Sequence, residues 1–187
     1  MSMRTVRPGE LVLVLGGVRS GKSRIAEELA RESGRRVVYI ATARPIDADM
    51  RERIARHRRR RDPGWRTVEA PIALPETVRR EGDEDSLLLV ECLGVWLTNL
   101  LVEGVDVAEA EARLEEALGR CRAACILVSS EAGSGVIPAS PLARRFVDQI
   151  GALNQRIAAR AERVVLAVAG LPWVVKDRCE EGGSCIS

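Results

Sequence analysis

Residues 11–30 read LVLVLGGVRSGKSRIAEELA, which combines a short apolar run, a glycine-rich loop and the start of a helical pattern. The five apolar residues Leu11–Leu15 predict a buried strand. The loop matches G-x-x-x-x-G-K-S and comprises Gly16, Gly17, Val18, Arg19, Ser20, Gly21, Lys22 and Ser23. Its glycines let consecutive backbone N–H groups curl around a phosphate. A glycine-rich turn before an ordinary helix is the alternative, but strand, loop and helix in this order predict a nucleotide-binding α/β protein.

Two side chains of this loop add chemistry to its backbone. Lys22 can reach the β- and γ-phosphates of a nucleotide, and Ser23 can hold Mg²⁺. The helix N-terminus beside them supplies unpaired N–H groups and the positive end of the helix dipole. Glu91 directly follows the apolar residues Leu87–Val90, where phosphate-loop enzymes place a second Mg²⁺ anchor. The alternative for Glu91 is a cap for the helix predicted to start at Leu93.

Apolar runs of strand length alternate with helical patterns along the chain. The predicted strands are Leu11–Leu15, Val37–Ile40, Leu87–Val90, Cys125–Ser129 and Val164–Val168, with Trp173–Val175 as an edge strand. The predicted helices are Lys22–Ser33, Asp47–Arg61, Leu93–Val102, Val107–Arg120 and Pro141–Arg163. This alternation predicts an α/β fold in which a mostly parallel sheet is flanked by helices. Ligands of such sheets bind beyond the carboxyl ends of the strands.

Three segments are predicted to lie outside the long elements. Residues 129–138, SSEAGSGVIP, follow a predicted strand and indicate a loop where substrate could bind, with a plain connection as the alternative. Pro71–Asp85 is polar and predicts a loop with one short helix. Residues 177–187 are expected to form a mobile tail. The whole chain, residues 1–187, is then a single domain.

Composition limits the class of protein. Hydrophobic residues are 46% and charged residues 30% of the 187 residues, as in an ordinary globular domain. The net charge of +2 does not by itself indicate a nucleic-acid partner. The apolar runs are shorter than a membrane span, and the N-terminal MSMRTVRPGE lacks the apolar stretch of a secretory signal. Because the five cysteines come with no export signal, a reducing, cytoplasmic location is expected.

The single histidine, His57, lies in an arginine-rich predicted helix. Two interpretations give the histidine no chemical role. The segment is then either a solvated basic helix that happens to contain a histidine, or a basic patch that binds nucleic acid. A third is chemical, since neighbouring arginines lower the pKa of an imidazole and keep it neutral and nucleophilic. The same arginines would bind a triphosphate. On a helix His57 shares one stripe with Met50, Ile54 and Arg61, while Arg53 and Arg60 flank it.

Together these segments resemble one family, the bifunctional adenosylcobinamide kinase/adenosylcobinamide-phosphate guanylyltransferases of cobalamin biosynthesis. The matching segments are GGVRSGKS, YIATA, RIARHRRRR, LLLVECLGVWLTNLL and SSEAGSGVIPASPLARRFVDQIGALNQRIA. They fall within residues 11–176. The resemblance implies a RecA-like P-loop NTPase fold and a homotrimer.

The resemblance also implies two reactions. The first phosphorylates the corrinoid adenosylcobinamide with ATP or GTP, and the second transfers GMP from GTP to that phosphate through a GMP–histidine intermediate on His57. Beyond the phosphate loop, the implied nucleotide contacts are Ala41, Thr42, Ala43, Arg58, Arg59, Arg60, Arg61, Glu69 and Glu91. Mg²⁺ is the expected cofactor, with Ser23 and Glu91 as its ligands. The rivals are a small-molecule P-loop kinase without nucleotidyl transfer and a nucleotide-dependent protein that binds nucleic acid through its basic helix.

Overall fold

The computed structural model describes residues 3–132 and 138–178. Within them a seven-stranded sheet has the order β3-β2-β4-β5-β1-β6-β7. The strands are β1 Leu11–Gly16, β2 Arg36–Ala41, β3 Arg66–Glu69, β4 Ser86–Glu91, β5 Ala124–Ser130, β6 Arg163–Val168 and β7 Leu171–Asp177. The helices are α1 Lys22–Glu32, α2 Ala48–Arg60, α3 Leu74–Glu81, α4 Leu93–Glu103, α5 Val107–Arg120 and α6 Pro141–Arg160. Half of the predicted substrate loop, residues 133–137, and residues 179–187 of the predicted tail lie outside the described residues.

The mostly parallel α/β sheet predicted from the sequence is confirmed. Strands β1 to β6 pair in parallel, and β7 runs antiparallel to β6 as the predicted edge strand. Apolar side chains fill both faces of the sheet. Ile25 and Leu29 of α1 pack on one face, and Trp96 of α4 with Ile150 of α6 packs on the other. None of the helices in the described part of the chain has the length and apolar character needed to cross a membrane.

One strand was not predicted, and two predicted boundaries were wrong. Strand β3 was not predicted, because its residues are mostly exposed and its place is decided by pairing with β2. Helix α6 ends at Arg160 rather than Arg163, since Arg163 begins β6 and buries its guanidinium 3.2 Å from the Glu10 carboxylate. Asp177 belongs to β7 and not to a tail, because its buried carboxylate accepts hydrogen bonds from Arg4 at 2.8 and 2.9 Å.

The carboxyl ends of the parallel strands form one edge, as the sequence predicts. Gly16 at the end of β1 pairs with Ser130 at the end of β5. On the other half of this edge Ala41 lies between Glu69 and Glu91, which end β3 and β4. The predicted phosphate loop and both candidate acids therefore lie along the same edge.

Candidate active site

The phosphate loop, Gly16–Ser23, connects β1 to α1 and needs its glycines. A Cβ on Gly16 would lie 2.3 Å from the Ser20 hydroxyl oxygen and 2.9 Å from the carbonyl of Ala167, so no side chain fits there. Gly21 is the N-cap of α1 and has φ +94°, a conformation that favours glycine. The Lys22 ammonium donates to the Gly17 carbonyl at 3.0 Å, so this cation lies over the loop backbone.

The turn between β6 and β7 packs against the phosphate loop and is hydrogen-bonded to it. The amide of Gly170 donates to the Ser20 carbonyl at 2.8 Å, and Arg24 of α1 donates to the Gly170 carbonyl at 2.6 Å. A Cβ on Gly21 would approach the Gly170 Cα to 2.9 Å, so two glycines allow this close contact. This support was not predicted from the sequence, because it forms between residues about 150 positions apart.

Ser23 and Glu91 meet at the start of α1, as predicted for a shared Mg²⁺ site. The Ser23 hydroxyl donates to the Glu91 carboxylate at 2.7 Å. Burial raises the pKa of Glu91 to about 7, against the lowering effects of Ser23 and Lys22. Glu91 is not a cap for α4, whose N-cap is Cys92 without a side-chain hydrogen bond. A hydroxyl and one carboxylate are oxygen donors that Mg²⁺ accepts alongside the phosphates of a nucleotide, so this pair fits the ion.

Thr42 supports Glu91 from inside the protein. Its side chain is fully buried. The Thr42 hydroxyl accepts a hydrogen bond from the Cys92 amide at 2.8 Å and donates to the carbonyl oxygens of Glu91 and Cys92, both at 2.9 Å. The Thr42 side chain therefore has no surface to offer a nucleotide, and it fixes the backbone that carries Glu91.

Helix α2 carries His57 and is attached by polar contacts. Asp47 caps it by accepting a hydrogen bond from the Met50 amide at 2.7 Å, as predicted. None of its residues is buried. At its C-terminal end Arg58 pairs with Glu69 at 3.1 Å, and the guanidinium of Arg61 lies 3.5 Å from the ring centroid of Tyr39. The predicted acid Glu69 and two of the predicted arginines are thus brought together at one place.

Two cavities meet at His57. The phosphate cavity, about 460 Å³, is bounded by the loop residues Val18–Ser23, by Glu91 and by Arg53, Arg56 and Arg60 of α2. The apolar cavity, about 420 Å³, is lined by Tyr39, Ala41, Ala43, Pro45, Met50, Ile54 and Val95, with Glu69 and Arg61 also lining it. His57 and Glu91 line both cavities. The stripe predicted for α2, which ends in Arg61, therefore lines the apolar cavity.

The environment of His57 favours the neutral imidazole. Its pKa is lowered first by burial, then by Arg60, with smaller contributions from Arg61 and Arg53 and an opposing one from Glu27. The predicted direction is confirmed, but the sequence analysis named only the arginines and missed burial as the larger cause. The Nδ1 atom of His57 is buried and has no hydrogen-bond partner among the described residues. A neutral imidazole keeps a lone pair on one of its two ring nitrogens and can act as a nucleophile through it.

Among the predicted arginines, Arg59 lines neither of these cavities. It lines a separate open groove with Trp65 and Thr67. Arg58 and Glu69 line this groove as well as the apolar cavity. Of the four predicted arginines, Arg60 lines the phosphate cavity, and Arg58 and Arg61 line the apolar cavity.

Comparison with known proteins gives relatives over nearly the whole chain. Residues 12–175 match the family model described as cobinamide kinase / cobinamide phosphate guanyltransferase, CobU. The bifunctional adenosylcobalamin biosynthesis protein CobP of Pseudomonas aeruginosa is 54% identical over 168 residues, which cover 88% of this chain and 96% of that protein. The bifunctional adenosylcobalamin biosynthesis protein CobU of Escherichia coli is 39% identical over 181 residues, which cover 89% of this chain and 99% of that one.

Solved structures with little sequence identity share the fold. The flagellar accessory protein FlaH of Methanocaldococcus jannaschii superposes with a TM-score of 0.56 at 12% identity, covering 95% of this chain and 83% of its own. The PH0250 protein of Pyrococcus horikoshii OT3 superposes with a TM-score of 0.55 at 12% identity. The match covers 91% of this chain and 88% of that protein. At this identity the two structures show a shared fold and nothing about function. The family match and the relatives identify the function: the chain belongs to the bifunctional cobinamide kinase / cobinamide phosphate guanylyltransferase family.

Proposed function

We propose that this enzyme carries out both family reactions at the edge described above, with His57 as the nucleophile of the second. The first reaction phosphorylates adenosylcobinamide with ATP or GTP, and the second transfers GMP from GTP to adenosylcobinamide phosphate. The observation that carries the proposal is the place of His57, which lines both the phosphate cavity and the apolar cavity. A nucleotide with its base in the apolar cavity and its β- and γ-phosphates at the loop would have its α-phosphate near His57.

In the kinase step the phosphate loop holds the triphosphate. Backbone N–H groups of the loop and the N-terminus of α1 bind phosphate oxygens, and Lys22 leaves the Gly17 carbonyl to place its charge on the β- and γ-phosphates. Ser23 and Glu91 would hold Mg²⁺, which when bound neutralises phosphate charge. The hydroxyl of adenosylcobinamide attacks the γ-phosphorus, and the nucleoside diphosphate leaves.

In the transferase step the neutral imidazole of His57 attacks the α-phosphorus of GTP. A P–N bond forms, the bond between the α-phosphorus and the bridging oxygen breaks, and pyrophosphate leaves. The arginines Arg53, Arg56 and Arg60 line the cavity in which negative charge would develop. A phosphate oxygen of adenosylcobinamide phosphate then attacks the same phosphorus, the P–N bond breaks, and adenosylcobinamide-GDP forms.

The base and ribose are assigned to the apolar cavity. Ala41 and Ala43 have small side chains and leave room beside the ring of Tyr39, which lines the same cavity. Glu69 and Arg58 at its rim carry polar atoms that could bind guanine or ribose edges. Thr42 enters the proposal as the residue that fixes Glu91, because its buried side chain is held by the backbone of Glu91 and Cys92.

Covalent labelling tests the proposal. With GTP labelled at the α-phosphate, the protein should acquire label, whereas GTP labelled at the γ-phosphate should leave none. The label should be lost in acid and persist in base, because a phosphoramidate is acid-labile. Since His57 is the only histidine of the chain, no other imidazole can carry it. Adding adenosylcobinamide phosphate should discharge the label into a small molecule.

Two results would contradict this assignment. One is wild-type protein that is active in the overall reaction but never acquires the α-label. The other is a label that survives acid. A P-loop kinase without nucleotidyl transfer would also phosphorylate its substrate and remain unlabelled, so the same experiment separates the two functions.

We also propose that the enzyme is a cytoplasmic homotrimer that binds small molecules rather than nucleic acid. An apolar strip on β7, formed by Leu171, Trp173 and Val175, is 58–70% exposed at the sheet edge. Exposed apolar residues on the last strand of the described sheet suit contact with a second copy. Light scattering of the wild-type protein should give a molar mass three times that of one chain. The variant Trp173→Glu should have a lower molar mass in solution. A wild-type monomer would contradict the trimer, and an unchanged mass for the variant would place the contact elsewhere.

A further inference from the structure

Glu27 is a buried carboxylate of α1 that the reaction described above does not use. It is 3% exposed, although the other acids of the same helix are half-buried, as Glu28 is, or exposed, as Glu32 is. A buried carboxylate requires compensation by charge and hydrogen bonds. Glu27 receives it from Arg60 of α2, which donates from Nε and Nη2 to the two carboxylate oxygens, both at 3.0 Å.

This two-point contact between Arg60 and Glu27, called the fork below, joins the two helices that the transferase step must bring together. Helix α1 begins with Lys22 and Ser23, and α2 carries His57 three residues before Arg60. Because α2 has no buried residue, apolar packing does little to fix its position. Its pair with Glu69, through Arg58, is exposed on both sides, and such pairs contribute little.

The paired geometry leaves Arg60 able to bind phosphate. A guanidinium has five N–H donors in a rigid fork, and Glu27 takes two of them. Arg60 still lines the phosphate cavity with His57. The carboxylate therefore orients the arginine without blocking it, as expected of a group that pre-organises a charged ligand contact.

From this geometry, and resting on the proposed role of His57, we infer that Glu27 is a positioning residue for guanylyl transfer. Its carboxylate holds Arg60, Arg60 holds the C-terminal half of α2 against α1, and His57 is thereby set toward the α-phosphate of a nucleotide on the loop. Phosphorylation of adenosylcobinamide, which does not need His57, depends on this contact far less.

The variant Glu27→Gln tests the inference by keeping the shape and removing the charge. The rate of labelling by α-labelled GTP should fall about 100-fold, the size expected when a reacting group is displaced by about 1 Å. The rate of phosphorylation and its KM for the nucleotide should stay close to the wild-type values. Glu32→Gln is the matched control, because Glu32 is an exposed acid at the far end of the same helix, and it should label normally.

Two further measurements distinguish positioning from a loss of folding. Glu27→Asp keeps the charge and should recover part of the labelling rate. The groups that act on the His57 imidazole are Glu27 from α1 and Arg53, Arg60 and Arg61 from α2 and its end, and of these only Glu27 raises its pKa. Removing that carboxylate should therefore move the acid limb of the labelling rate to lower pH, a shift that a weakened fold would not cause.

A double-mutant comparison tests whether Glu27 acts through Arg60. Glu27→Gln/Arg60→Gln should label no more slowly than Arg60→Gln alone, because the fork is already broken. The inference would be overturned if the double variant lost the product of the two single-variant losses in labelling rate. It would also be overturned if Glu27→Gln labelled at the wild-type rate. If wild-type protein is itself never labelled, the role of His57 fails, and that result is distinct from a failure confined to Glu27.

Discussion

The variant His57→Asn should convert adenosylcobinamide to its phosphate and then stop. Asparagine keeps a polar side chain of similar size, so α2, which has no buried residue, should remain folded. It cannot form the phosphoramidate, and loss of an enzyme nucleophile lowers the rate on the order of a million-fold. The phosphate loop lies on a separate element, with Lys22 and Ser23 unaffected. Chromatography of the products formed from adenosylcobinamide and GTP measures both steps at once.

The matched control is Glu52→Gln, which changes an exposed acid of the same helix that pairs with Arg56. It should give adenosylcobinamide-GDP at the normal rate. Formation of that product at a normal rate by His57→Asn would exclude His57 as the nucleophile. Loss of both reactions together, with an unchanged melting temperature, would mean that His57 also serves the kinase step.

The loop half of the site could be predicted from the sequence because its elements are neighbours in the chain. Strand β1, the loop and α1 are continuous, and the pattern of each is local. Glu91 was found in the same way, from its place after an apolar strand. The structure adds that its carboxylate reaches the Ser23 hydroxyl, which no local pattern contains.

The remaining support of the site comes from contacts between distant residues. Glu27 has the sequence position of an ordinary helix acid, yet it is buried in the structure, where Arg60 of α2 compensates its charge. Strand β3 has no apolar pattern, yet its pairing with β2 places Glu69 beside Ala41. Sequence periodicity reports which face of an element is apolar, and it carries no information on which charged side chains meet across elements.

Thr42 is a position where the family motif indicates the right segment but not the direction of the side chain. The family resemblance implies a nucleotide contact at this position, and the neighbouring Ala41 and Ala43 do line the apolar cavity. The Thr42 side chain points inward and binds the backbone of Glu91 and Cys92 instead. A motif thus indicates which segment approaches a ligand, while the direction of each side chain depends on the fold around it.

The variant Lys22→Ala should damage the kinase step most. Lys22 is the side chain that the phosphate-loop motif places on both the β- and γ-phosphates. Removing one electrostatic donor of this kind lowers kcat about 10²- to 10³-fold, or about 3–4 kcal/mol. Removal of Mg²⁺ by a chelator should have an equal or larger effect. The rate of adenosylcobinamide phosphorylation is the measurement.

The change of charge alone must be separated from the loss of this contact. Arg36→Ala also removes one positive charge, but Arg36 lies at the start of β2 and pairs with Asp83, at the opposite end of the sheet from the loop. It should phosphorylate adenosylcobinamide at the wild-type rate. If Lys22→Ala also does so, the assignment of the phosphate loop is wrong, because the Lys22 ammonium would then make no contact that strengthens as the γ-phosphoryl group is transferred.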